Sequence, residues 1–144
     1  MELVRTIYER FRAGDFDGAL ALHHPDIEVR DRPEAPDPQV YRGHEGVLRS
    51  LNASRATFQG LEIVPEEFID AGDGVVVVFR FLGTGRESGV PVEERLAHVW
   101  TIRDGKAVRM TVHSGRDEAL AAVQRPPDHE GRGAATGSGG AGER

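Results

Sequence analysis

The hydrophobic period of this chain switches to two over a long stretch from Leu61 onward, and that switch limits the folds open to it. In the N-terminal part, apolar residues recur at helical spacing: Leu3, Val4, Ile7, Tyr8 and Phe11, then Phe16, Ala19, Leu20 and Leu22, then Val47, Leu48 and Leu51. Such spacing lays a single apolar stripe along each helix. Ala13-Gly14 ends the first helix and Asp15 is placed to cap the second, which stops before Pro25. Ile27 and Val29 then alternate with Glu28 and Arg30, a half-buried strand, before a proline-rich loop from Arg32 to Val40. The third helix runs from about Gly43-His44 to Ala56. From Leu61 the period becomes two. Leu61 to Ile69 is a strand bent at Pro65 and so at a sheet edge. Val75 to Leu82 is the most β-prone stretch, and Glu93–Arg103 with Lys106–Ser114 forms a hairpin around Asp104-Gly105. Glu118 to Val123 reads as a short closing helix. Helices followed by an antiparallel meander make an α+β fold, with the helices on one face of a curved sheet and an apolar pocket between.

Composition narrows the function classes. The 144 residues carry a formal net charge of -6 and no cysteine. An acidic chain lacks the basic face that nucleic acid requires. Without cysteine there are no disulfides and no thiolate metal sites, which fits a reducing, cytoplasmic setting. No signal peptide is visible at Met1-Glu2-Leu3-Val4, and the longest apolar run, Val75 to Phe79, is far too short to cross a membrane. His23-His24 are adjacent, so their side chains diverge, and no metal site is expected. Residues 1–124 read as one domain. From Arg125 to Arg144 only small, polar and charged residues remain, a tail expected to be disordered.

The runs AGDFDGALALHHPDIEVRD at 13–31, YRGHEGV at 41–47, FIDAGDGVVVVFRF at 68–81 and HVWTIRDGKAVRM at 98–110 resemble the nuclear-transport-factor-2-like superfamily. Within it they resemble most the SnoaL-like and ketosteroid-isomerase-like branch. The resemblance implies a cone-shaped α+β barrel with three N-terminal helices packed on a curved, mostly antiparallel sheet. It implies no cofactor and no metal. It places Asp31 where steroid isomerases keep their proton-abstracting aspartate. The two oxyanion donors of those enzymes, a tyrosine on the first helix and a protonated acid on a late strand, fall on Ile7 and Ala97, so both are missing. The superfamily's activities imply two readings. One is a cofactor-independent isomerase or cyclase acting by proton abstraction on a hydrophobic carbonyl compound. The other is a binding or dimerisation domain without catalysis.

If strand parity follows the family, the pocket is lined by Val29, Phe79, Phe81, Ala97, Val99, Thr101, Met110, Val112 and Ser114, with Ile7 from the first helix. Tyr41 and His44 sit where the proline-rich loop meets the third helix, near the pocket mouth. Asp31, as a carboxylate at an apolar wall, is the candidate general base; its bland reading is a strand-end turn cap. The same parity turns Arg80, His98 and Trp100 to the other face as a homodimer interface. The expected partners are a small hydrophobic molecule and a second copy of the chain.

Overall fold

A computed structural model describes residues 1–124; the expected C-terminal tail lies outside the described residues. The elements run α1 (Glu2–Arg12), α2 (Phe16–Leu20), β1 (His23–Arg30), β2 (Val40–Arg42), α3 (Gly43–Thr57), β3 (Phe58–Ala71), β4 (Gly74–Gly85), β5 (Pro91–Arg103), β6 (Lys106–His113) and α4 (Arg116–Gln124). Asp15 caps α2 through its side chain, which accepts the Gly18 N–H at 3.0 Å. The β5–β6 turn places both Asp104 and Gly105 at positive φ, as a two-residue type I′ hairpin demands.

All strands join one curved sheet in the order β2-β1-β6-β5-β4-β3. The edge strands β2 and β3 do not pair, so the curved sheet of this cone-shaped α+β fold is open. Pro65 sits on edge strand β3 beside a register shift, where a missing N–H costs no ladder bond. β1 and β6 pair in parallel, and every other neighbouring pair is antiparallel.

Both faces of the sheet are covered in part. On the concave face, Val4, Ile7 and Tyr8 of α1, Leu20 of α2 and Val47 of α3 pack with Ile27, Val29, Val75, Val77, Trp100 and Ala107. On the convex face, Ala119, Leu120 and Val123 of α4 cover Val76, Val78, Ala97 and Val99. None of the described helices is long and apolar enough to cross a membrane.

This double covering, together with one bulge, reverses the expected parity of β5. Counted regularly from the Asp104-Gly105 turn, Val99 would oppose Met110. The ladder instead slips between Thr101↔Arg109 and Ile102↔Ala107, leaving Val108 as an extra residue on β6. Beyond the slip His98 pairs with Val112 and Trp100 with Met110. Directly opposed residues point to one face, so His98 and Trp100 turn inward and Ala97, Val99 and Thr101 turn outward. Periodicity could not reveal the slip, because α4 makes the outward set apolar as well.

Candidate functional site

The concave face is organised in rows that cross the strands. One row runs Tyr41, Val29, Met110, Trp100, Val75. The next holds Val112, His98 and Val77. β1 enters that second row at Asp31, one step beyond the last parallel pair, Arg30↔Thr111. Asp31 and His98 therefore flank Val112 on one face, on the order of 10 Å apart between Cα atoms from the ordinary strand spacing.

Asp31 is half-buried. Its N–H donates to the Gln39 carbonyl at 3.0 Å, and its Oδ2 accepts the Gln39 N–H at 3.0 Å. It thus closes the β1–β2 loop with one oxygen and leaves Oδ1 without a partner among the described residues. Tyr41, opposite Val29, lies close by: burial raises its phenol above the ordinary value and the Asp31 carboxylate adds to the rise, while Arg49 opposes them. A polar strap crosses the same end of the sheet. Arg32 Nη1 donates to Ser114 Oγ at 3.2 Å, Ser114 Oγ donates to Glu34 at 2.9 Å, and Arg32 Nη2 lies 3.6 Å from Glu94. Phe81, Met110 and Val112 are only half-buried, so this end of the concave face retains accessible apolar surface.

Deeper in, three side chains from α1 and β5 meet. Trp100 Nε1 donates to the Tyr8 hydroxyl oxygen at 2.9 Å, and the Tyr8 hydroxyl lies 2.5 Å from His98 Nδ1. The Phe79 ring packs 4.2 Å from that of His98, centroid to centroid. Burial lowers His98 to about 3 and raises the Tyr8 phenol well above its ordinary value. Both groups are therefore neutral near pH 7.

The expected site residues divide accordingly. Asp31, Val29, Tyr41, Phe79, Phe81, Met110 and Val112 share the concave face, with Ile7 fully buried in the core behind them. Ser114 belongs to the strap. His44 does not face the mouth: its Nε2 donates to the His23 carbonyl at 2.9 Å and ties α3 to the start of β1. Ala97 and Val99 lie under α4, and Thr101 shares their face. The interface expected at Arg80, His98 and Trp100 is not one surface. His98 and Trp100 are 8% and 4% exposed inside the cone, while Arg80 is outside, paired with Glu66 at 3.1 Å and Glu93 at 3.2 Å.

Sequence reasoning missed Tyr8 as a site residue and assigned His98 to the opposite face. Tyr8 was visible only as part of a core stripe, and His98 was hidden by the Val108 slip. His23 is likewise buried, and its Nδ1 donates to the Ala19 carbonyl at 2.8 Å. No group of His, Asp and Glu side chains among the described residues could hold a metal. A separate open groove of about 320 Å³, lined by Leu82, Thr84, Pro91 and Val92 among others, lies at the far end of β3–β5. It carries one titratable side chain, Glu93, and no constellation for chemistry.

Residues 4–110 match the model of the SnoaL-like domain family. Among solved structures, the chain is similar to TerC co-crystallised with polyporic acid, with 30% identity, a TM-score of 0.68, and 85% of this chain and 95% of that one covered. It is similar to a nuclear-transport-factor-2-like protein of unknown function from Burkholderia pseudomallei, with 25% identity, a TM-score of 0.70, and 87% and 97% covered. A nuclear-transport-factor-2-like protein from Burkholderia thailandensis aligns at 27% identity with a TM-score of 0.72, covering 87% and 96%. No curated protein matches the chain.

Proposed function

The chain belongs to the SnoaL-like domain family, and from that premise we propose that it binds a small hydrophobic carbonyl compound on the concave face and moves a proton on it with Asp31 as base. The observation that carries this reading is the placement of Asp31. It is the carboxylate in the Val112 row, at the end where Phe81, Met110 and Val112 stay accessible, and one of its oxygens is uncommitted. A carboxylate there takes a proton from the carbon next to a carbonyl, holds it, and returns it to another carbon of the same molecule. The step needs no cofactor. The co-crystallisation of TerC with polyporic acid supports a small organic ligand for this chain. The lack of cysteine supports a cytoplasmic site of action.

The test is exchange of the α-protons of α-tetralone in D₂O. The wild type is expected to catalyse exchange, and Asp31→Asn to lose about 10²–10⁴ of the rate. An equal rate in the variant would remove Asp31 from the chemistry.

A second reading, binding without catalysis, is favoured by the bond from Gln39 to Asp31, which gives the carboxylate a structural task. It expects tight ligand binding with no exchange in either protein. Of the three residues expected at a homodimer interface, Arg80 alone stays on the outer surface. Light scattering on the wild type and Arg80→Glu tests that surface, and equal mass in both removes Arg80 from it.

A further inference from the structure

His98 has a hydrogen to give and no acceptor for it among the described residues. The indole N–H of Trp100 can only donate, and it donates to the Tyr8 oxygen. The Tyr8 hydroxyl hydrogen must therefore go elsewhere, and the acceptor within reach is His98 Nδ1. With Nδ1 accepting, a neutral imidazole carries its proton on Nε2. Among the described residues Nε2 has no hydrogen-bond partner. The residue is not wholly sealed, since His98 is 8% exposed.

Its direction follows from its neighbours. Tyr8 bonds both Trp100 and His98, so it lies on the Trp100 side of the imidazole. Nε2 lies across the ring from Nδ1 and so away from the Tyr8 hydroxyl. Phe79 at 4.2 Å and Tyr8, stacked at 6.0 Å between centroids, hold the ring plane. A donor fixed in tautomer and orientation inside an apolar wall is what a developing oxyanion requires.

We propose that His98 binds the ligand's oxygen through Nε2–H, with Tyr8 and Trp100 as positioning residues, while the reacting carbon lies over Val112 against Asp31. This rests on reading Asp31 as the base. In the proton-transfer step the α C–H bond breaks and an O–H bond forms on Asp31. The C–H electron pair becomes the enolate double bond, and the carbonyl oxygen takes the negative charge while accepting the hydrogen bond from Nε2–H. His98 keeps its proton throughout. Reprotonation at carbon from Asp31 restores the carbonyl. The oxyanion donor absent at Ile7 and Ala97 is thereby supplied from the neighbouring position on β5.

The experiment uses the full chain and polyporic acid as probe. Long-range ¹H–¹⁵N spectra of the wild type should show His98 with an unprotonated Nδ1 and a protonated Nε2, and saturating probe should shift the Nε2 signal. Binding followed by Trp100 fluorescence should weaken at least about tenfold in His98→Leu, and His98→Gln, which places an amide N–H near the Nε2 position, should restore most of it. A proton on Nδ1, an Nε2 signal indifferent to bound probe, an absence of binding, or His98→Leu binding as tightly as the wild type would each overturn the assignment. The spectra need no variant to fold. The base is scored separately by α-tetralone exchange in Asp31→Asn. Unchanged exchange there, with binding still lost in His98→Leu, removes the base and leaves the donor. Lost exchange, with binding intact in His98→Leu, does the reverse.

Discussion

Asp31 divides its two oxygens between structure and chemistry, and the division can be tested. Asparagine at 31 keeps an oxygen able to accept the Gln39 N–H, so Asp31→Asn is expected to leave thermal stability nearly unchanged while proton exchange falls. Asp31→Ala removes the cap as well and should cost about 1 kcal/mol in urea unfolding. Tyr8→Phe leaves the buried Trp100 N–H without an acceptor, a loss of about 1–3 kcal/mol, with a change in Trp100 emission. His98 makes stability depend on pH with a definite sign. Its folded value lies near 3, against an ordinary 6.5. Between those values the unfolded chain holds the extra proton, so the folded state loses ground as pH falls from about 6.5 toward 3. Urea unfolding at about pH 7.5 and about pH 5 should differ by about 2 kcal/mol from this group. His23, lowered by burial, acts in the same direction. His98→Gln should remove its own share of that difference. A pH-independent wild type over that range would contradict a buried neutral His98.

At the scale of elements, the sequence announced nearly every helix and strand, because period, caps and turn residues are local signals. The Asp104-Gly105 turn and the edge position of β3 at Pro65 were readable for that reason. The facing of β5 was not. One unpaired residue, Val108, decides it, and a bulge leaves no mark when the residues on both sides of it alternate regularly. Deleting Val108 takes out the extra residue and leaves Thr101 opposite Arg109 and Trp100 opposite Met110, so Trp100 and His98 should stay on the concave face. The expected result is a folded chain whose near-UV dichroism stays close to that of the wild type. A collapsed near-UV signal in the deletion would show that the pairs beyond the slip do not hold the register. α4 offers a second test. Ala119 is fully buried against the convex face, so Ala119→Asp puts a charge where no described partner waits and should cost several kcal/mol.

For the whole molecule, the residues that matter come from opposite ends of the chain. Tyr8 and His98 are 90 positions apart, Tyr8 and Trp100 are 92, and Arg32 and Ser114 are 82. β3 to β6 form a meander of sequential neighbours, whereas β1 reaches β6 only by closing most of the chain into one loop. Contacts between distant residues are slow to form because the loop must be closed before they repay it. The Asp31–Val112–His98 row spans the β1–β6 seam, so a chain with its meander complete but that seam unmade has four paired strands and no site. During refolding the far-UV signal should therefore lead, and the capacity to bind ligand should return only with the change in Trp100 fluorescence as Tyr8 docks. Because the parallel seam joins the chain's first strand to its last, binding activity in this protein doubles as a readout of completed folding, and a partly folded population would be inert toward ligand.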